Sequence, residues 1–441
     1  MREKRRIGRG DVGAAVTEDA DVIVVGAGPG GAAVAHYLAL NGLDVLLLEK
    51  SHLPRDKVCG DGLTPRAVAE LIRMGVSIDE DDGWIRNWGL RTYGAGHRIE
   101  IPWPELAEQP SYGLAKARMN LDELLARHAE TTGARLMEGM NVTGPIRHER
   151  SGRILGVTAR PVDADGRRAG DEVSLRARIV VDAGGVSARL ATAMGIEKMQ
   201  NRPMGVAIRT YFRSPRHDDP MMESHLELWD GEPGASNLMP GYGWIFALGD
   251  GTCNVGLGSL SSTATPMRID YRKLFATWMR NAPPEWEFTP ENQVGKLRSA
   301  ALPMAFNRKP HYSQGLFLVG DAGGMVSPFN GEGIAYAIQS GRIAADVIAQ
   351  ALARTTPYAM EKTLITYPKI LDDELGGYFT LGRGFARLIE RPEIMRACVK
   401  YGLPRPVLMQ FVMKLLSDGF DRRDGDWMDR LIAALSKAVP A

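Results

Sequence analysis

The chain has 441 residues, and its 54 basic and 53 acidic side chains leave a formal charge of +1. So even a balance gives no global field to draw the protein onto nucleic acid. Hydrophobic residues at 44% and charged residues at 24% exclude a disordered chain, a coiled coil and a multi-pass membrane protein. The length predicts about two to four structural units. Cys59, Cys253 and Cys398 are too few and too scattered for a disulfide framework or a zinc site, and the histidines form no ligand pattern. No metal is expected, and a reducing, cytoplasmic setting is the default. The 50 glycines exceed the usual share of about 7% and point to turns that depend on them.

The basic N-terminus, MREKRRIGRG, is followed by no apolar signal stretch before Asp19 and Asp21. It reads as a solvated arm over 1–18, with attraction to an anionic membrane surface as the alternative. The apolar run 22–40 is long enough to span a bilayer, but Gly26, Gly28, Pro29, Gly30, Gly31 and His36 interrupt it. It reads better as a strand over 21–25, a helix over 30–41 and a second strand over 44–48, a βαβ unit with a parallel pair. A helix over 121–131 and strands over 154–158 and 179–181 follow. The segments 204–212, 224–229, 244–248 and 254–260 read as strands of a separate, antiparallel sheet. A short buried strand over 316–319 leads into glycines and a long helix over 334–353. From 358 onward the pattern is helical, broken at Pro392, Pro404 and Pro406.

Gly26, Gly28 and Gly31 form G-x-G-x-x-G between the first strand and the first helix. Their roles are a tight turn, close backbone approach to a pyrophosphate and close helix–strand packing. Phosphates then meet the free N–H groups of a helix N-terminus. Glu49 ends the second strand, where an acid binds ribose hydroxyls. A dinucleotide is expected.

Residues 315–341 read GLFLVGDAGGMVSPFNGEGIAYAIQSG, with Asp321 after Gly320 and a helix opened by Gly331-Glu332-Gly333. This resembles the second flavin-contacting motif of the FAD-dependent family that includes hydroxylases, halogenases and geranylgeranyl reductases. The resemblance implies FAD, with the aspartate on the ribityl chain and the helix N-terminus at the pyrimidine end. Residues 54–66, PRDKVCGDGLTPR, and 240–258, PGYGWIFALGDGTCNVGLG, resemble the geranylgeranyl reductase family, and within it the actinobacterial menaquinone reductase branch. That family saturates isoprenoid double bonds. The resemblance runs from about 21 to 378 and implies that Gly30, Glu49, Cys59, Gly60, Gly62, Arg118, Val142, Asp321, Gly333 and Ile334 touch FAD.

Two departures stand out. Ala247 follows Phe246 where the family usually has proline, and Gly184 in VVDAGGVSAR replaces an aspartate associated with NAD(P)H use in related hydroxylases. The electron donor therefore stays open between NAD(P)H and a reduced carrier.

Tyr242, Trp244 and Phe246 alternate along a strand and should share one face, as a prenyl-binding wall or as a stacked core. Cys59 follows Lys57 closely, a setting that suits a proton donor or redox partner, although a packed, inert thiol is an equal reading. Cys59 and Tyr242 are the catalytic candidates, with bound water as a further proton source. The apolar segment Pro406–Leu416, with Arg396, Lys400, Arg405 and Lys414 around it, is a core helix or a helix resting on a membrane; it is too short to span one.

The expected fold is α/β: a Rossmann-type FAD-binding domain of the glutathione-reductase-like, hydroxylase type, with an inserted antiparallel-sheet substrate domain and a helical C-terminal region. The FAD domain takes 19–82, 111–200 and 305–355, the substrate domain 83–110 and 201–304, and the helical region 356–441. The expected activity is FAD-dependent reduction of a carbon–carbon double bond in a polyprenyl lipid, menaquinone first. The alternatives are a geranylgeranyl lipid or diphosphate reductase, a flavin monooxygenase or halogenase, and, last, a non-catalytic prenyl carrier. The expected location is cytoplasmic, with a peripheral contact to the inner face of the cell membrane as the extension.

Overall fold

The structure, a computed structural model, describes residues 16–261, 269–389, 391–422 and 425–438. Of the arm expected over 1–18, residues 1–15 lie outside the described residues, and Val16, Thr17 and Glu18 instead open the first strand, Val16–Val25. This strand is central to a sheet of eight strands among the described residues. Its parallel part runs Leu316–Leu318, Val173–Asp182, Val16–Val25, Val45–Leu48 and Arg135–Met137. Val22, Val24, Val45, Leu47, Ile179 and Val181 pack on one side, and Ile23, Leu46, Leu48 and Val180 on the other. Burial on both faces is why these strands read as nearly unbroken apolar runs.

Helices Pro29–Leu40 and Ile334–Leu352 cover one side, and they meet at glycine. A Cβ on Gly341 would stand 2.7 Å from the carbonyl oxygen of Gly30, so any side chain there would push the helices apart. Antiparallel strands Met140–Arg147 and Ile154–Pro161 cover the other side through Met140, Val142, Ile154 and Val157.

The second sheet has seven strands among the described residues: Gln293–Pro303, Met204–Arg213, Thr252–Ser261, Tyr242–Ala247, Met222–His225, Gly89–Gly94 and His97–Pro102, in that order. It is antiparallel except where Met222–His225 runs parallel to Gly89–Gly94. A parallel neighbour needs a long crossover, and here much of the nucleotide-side fold lies between the two strands in sequence. The strand expected over 224–229 is two pieces. Met222–His225 joins the sheet, and Leu228–Trp229 pairs with Leu238–Met239 in a separate ribbon.

Cross-strand register divides the second sheet into two faces. Ile208, Phe212, Ile245, Val255 and Leu257 pack under helix Tyr271–Arg280 against Leu274, Phe275 and Trp278. Arg209, Tyr211, Trp244, Phe246 and Asn254 take the opposite face, toward the first sheet.

The C-terminal region is helical: Pro357–Leu364, Tyr367–Leu371, Gly377–Ile389, Pro392–Gly402, Pro406–Leu416 and Trp427–Ala438. It is tied to the body by Arg66, whose guanidinium meets Asp418 at 2.8 Å. Among the described residues no helix is long and apolar enough to cross a membrane.

Candidate active site

The first strand delivers Gly26 at φ +100°, and a Cβ on Gly31 would stand 1.8 Å from the Gly26 carbonyl oxygen. The helix can therefore start against the turn only if residue 31 lacks a side chain. Gly28 has no close neighbour: an added Cβ would meet Arg55 Nη2 and Asp122 Oδ2 only at ordinary contact, 3.8 and 4.0 Å. Gly30 packs instead toward Val319 and Ala337 in the helix–helix contact.

Glu49 accepts hydrogen bonds from the amides of Ala27 and Ser51, both at 3.0 Å, and an ion pair from Arg55 at 3.1 Å. Arg55 also reaches Asp122 at 2.7 Å, and Arg118 grips the same carboxylate with two hydrogen bonds of 2.7 and 2.8 Å. Burial opposes ionisation of Asp122, but Arg118 and then Arg55 outweigh it and hold the carboxyl below its usual range. Val142 is buried on the strand whose Met140 amide donates to the Glu49 carbonyl at 2.8 Å.

At the other end of the cleft, Asp321 pairs with Lys57 at 3.2 Å, and an added Cβ on Gly333 would lie 3.5 Å from the Asp321 carboxylate. Gly333 caps helix Ile334–Leu352 with no side-chain hydrogen bond, which leaves the first amides of that helix, from Ile334 on, available.

Between the two ends runs the 56–62 loop, fastened by the second sheet. Arg209 is 1% exposed; it donates to the Lys57 carbonyl at 2.9 Å and the Cys59 carbonyl at 3.3 Å, and pairs with Asp56. Asn254 donates to the Cys59 carbonyl at 2.9 Å and to Asp61 at 2.7 Å, while its own oxygen accepts from the Trp244 indole at 2.8 Å. Asp61, at φ +65°, also accepts from the Arg118 amide at 3.1 Å, and full burial pushes its carboxyl up to about 6.

Tyr242, Trp244 and Phe246 share one strand face, with ring centroids 6.1 and 6.5 Å apart along the row. Gly60 and Gly62 lie against Phe246, where an added Cβ would come within 2.9 and 3.0 Å of its ring. Trp244 is a buried anchor for Asn254 rather than open wall. Tyr242 donates to the Asn330 carbonyl at 2.5 Å, and burial, then Cys59 and Glu332, push its phenol up to about 12. Cys59 is half-buried, and the cation whose charge it feels is Arg118; Lys57, its neighbour in sequence, is turned to Asp321. Gly184, in the place of the NAD(P)H-associated aspartate, donates its amide to the buried Asp182 at 3.0 Å.

Sequence reasoning missed Arg55, Asp61, Arg209, Asn254 and Glu332. Arg209 and Asn254 did carry a signal, being large polar residues at interior positions of mostly apolar strands.

The model of the FAD binding domain matches residues 19–368. The chain is 38% identical to the menaquinone reductase of Mycobacterium tuberculosis over 94% of its own length and 95% of that protein. It is 32% identical to the digeranylgeranylglycerophospholipid reductase of Methanocella arvoryzae, over 75% of this chain and 78% of that one. A geranylgeranyl bacteriochlorophyll reductase-like protein of Thermoplasma acidophilum has the same fold, with a TM-score of 0.73 and 23% identity across 95% of this chain and 99% of that one. The flavin-dependent brominase Bmp2 shares it at a TM-score of 0.71 and 20% identity, across 96% and 99% of the two chains. The cofactor is FAD, and the chain belongs to the FAD-binding-domain family of oxidoreductases, among its geranylgeranyl and menaquinone reductases.

Proposed function

We propose that the protein saturates a carbon–carbon double bond in a polyprenyl chain, and that the isoprenoid tail of menaquinone is its substrate. The observation that carries this is the junction of the two sheets, where strand Tyr242–Ala247 meets the 56–62 loop beside the start of helix Ile334–Leu352. The likeness to menaquinone reductase over 94% of the chain supports the choice of lipid.

FAD fits the residues present. The uncrowded backbone at Gly28 offers a diphosphate both a helix N-terminus and the Arg55 guanidinium. The Glu49 carboxylate is an acceptor for ribose hydroxyls, and Asp321 with the amides at Gly333 and Ile334 suits the flavin end. Gly60, Gly62, Arg118 and Val142 act through the loop and strands that shape this cleft. Bound and reduced, FAD supplies a hydride.

An isolated alkene is a poor hydride acceptor, so the protein must also deliver a proton. Cys59 brings an S–H to the junction, whereas the Tyr242 O–H is donated to the Asn330 carbonyl and serves to hold the phenol there. Tyr242 and Phe246 give the chain an apolar surface that excludes water from the reacting carbons.

Such a substrate stays in a bilayer, and the C-terminal helices offer a place to meet it. Val407, Leu408, Trp427 and Leu431 are exposed and line one groove with Phe411 and Arg405. Arg396 and Lys400 are exposed nearby. Lys414, expected among these cations, is buried between Asp426 and Asp429 at 2.8 and 2.7 Å and belongs to the interior.

The test is to incubate the dithionite-reduced enzyme with menaquinone in vesicles and to weigh the extracted quinone by mass spectrometry. A gain of one H2 on the prenyl chain is expected. Unchanged menaquinone, alongside a saturated geranylgeranyl lipid, would move the substrate to the wider family.

A further inference from the structure

Glu332 lies at the same junction, in the turn that opens helix Ile334–Leu352. Its backbone is pinned, with the amide donating to Asn330 Oδ1 at 2.9 Å and the carbonyl accepting from the Ser327 amide at 2.8 Å. One carboxyl oxygen, Oε1, accepts from the Thr64 hydroxyl at 2.6 Å. The other, Oε2, is buried with no hydrogen-bond partner among the described residues.

Among the described residues no cation is dedicated to it. Arg66, the positive group that acts on it, is engaged by Asp418 at 2.8 Å and Gln339 at 2.8 Å and lies over the Tyr336 ring. Asp418 itself opposes a second negative charge, and the other titratable groups facing the carboxyl, Tyr242, Tyr336 and Tyr378, bring none that is positive. Burial pushes the Glu332 carboxyl up to about 7. Tyr242 faces the same turn: its phenol oxygen stands 3.7 Å from where a Cβ on the adjacent Gly331 would be, and the charges of Cys59 and Glu332 both act on that phenol. A general acid works best with a pKa near the operating pH. Tyr242 lies far above that, and its hydrogen is committed to Asn330.

We propose that Glu332 is the acid that protonates one carbon of the alkene while the other carbon takes a hydride from reduced flavin. The role rests on the prenyl-reductase function above. The π pair of the alkene forms one C–H bond with the carboxyl proton and leaves Glu332 as a carboxylate. The hydride, with its two electrons, forms the second C–H bond, and a solvent proton restores the acid.

The experiment uses the FAD-loaded protein and its variants Glu332→Gln and Glu332→Asp, reduced with dithionite and mixed with menaquinone. Glu332→Gln should keep wild-type flavin absorbance yet reduce the chain on the order of a hundred times more slowly or worse, as when other positioned acids are removed. Its pH–rate profile should lose the fall that the wild type shows as pH rises through about 7. Glu332→Asp should keep that fall at a lower rate. Infrared spectroscopy of the oxidised protein should show a protonated-carboxyl band that titrates over the same range and is missing in Glu332→Gln. A wild type that reduces the chain while Glu332→Gln does so within about threefold, or a wild type without that band, overturns the role of Glu332 alone. A wild type that leaves every prenyl chain intact overturns the function, and this role falls with it.

Discussion

The two faces of the inserted sheet are built by the same strands and held in opposite ways. Under helix Tyr271–Arg280 the contact is apolar, and its strength comes from buried area and close packing. Toward the nucleotide side, Arg209 and Asn254 hold the carbonyls of Lys57 and Cys59 and the carboxylate of Asp61. The first face tolerates exchange of one hydrocarbon for another. The second has donors and acceptors that are costly when left unpaired. One face therefore sets stability, and the other sets stability and the shape of the cleft together.

The largest expected effect separates these roles. Phe212→Ala, on the apolar face, should lower unfolding free energy by about 3–5 kcal/mol, the range for a buried phenylalanine. Flavin content per folded molecule should stay near wild type; denaturant unfolding and absorbance of the folded fraction check it. A loss of flavin in step with stability would erase the distinction between the faces.

The next effect reads the polar face through pH. Asp61 goes from an ordinary 3.8 up to about 6, so the folded protein holds this proton more tightly than the unfolded chain does. Its contribution is greatest below about pH 4 and is lost as pH rises through about 6, on the order of 2–3 kcal/mol in all. Asp61→Asn should flatten the stability-versus-pH curve by that amount between about pH 4 and pH 7, leaving the share from Glu332, which has the same sign. The slope is the readout, because the amide also places an N–H against the donors around it. An unchanged slope would mean that Asp61 does not titrate in this window.

Smaller in energy, Asn254→Ala should cost about 1–3 kcal/mol by unpairing the Cys59 carbonyl, Asp61 and the Trp244 indole. Unlike Phe212→Ala it should also lower flavin occupancy, and full occupancy would show that the loop keeps its shape without the sheet. Smallest per residue is the outer contact of the C-terminal helices. Reversing Arg396, Lys400 and Arg405 should weaken co-sedimentation with anionic vesicles by roughly 1 kcal/mol each, whereas reversing Lys414 should harm folding instead. Equal binding by the triple reversal would remove the membrane surface.

The apolar face was legible because alternation is a local pattern: 204–212 and 254–260 read as strands, and both are. The G-x-G-x-x-G turn and Glu49 were legible for the same reason, being a short motif with fixed spacing. The polar face was not. Arg209 and Asn254 acquire partners 150 and 195 residues earlier in the chain, a pairing that no local period records. Helix Pro65–Arg73 escaped notice, although Thr64 caps it with a bond to the Ala67 amide and Pro65 opens it. Proximity in sequence points to Lys57 as the cation beside Cys59; the fold supplies Arg118 instead, from the start of helix Arg118–Thr132.

The fastening of the 56–62 loop bears on how such proteins can be rebuilt. The loop belongs to the nucleotide side by sequence, but the inserted sheet supplies the side chains that shape it. Transplanting the insert alone into another flavoprotein would carry a buried arginine to a loop whose carbonyls and acids were not placed to receive it. Replacing the loop alone would take the carboxyls of Asp56 and Asp61 from Arg209 and Asn254 and leave their bonds to the carbonyls of residues 57 and 59 dependent on the path of the new loop. A working chimera has to exchange 56–62 together with strands Met204–Arg213 and Thr252–Ser261, so the unit of inheritance for this active site is three separate stretches of chain.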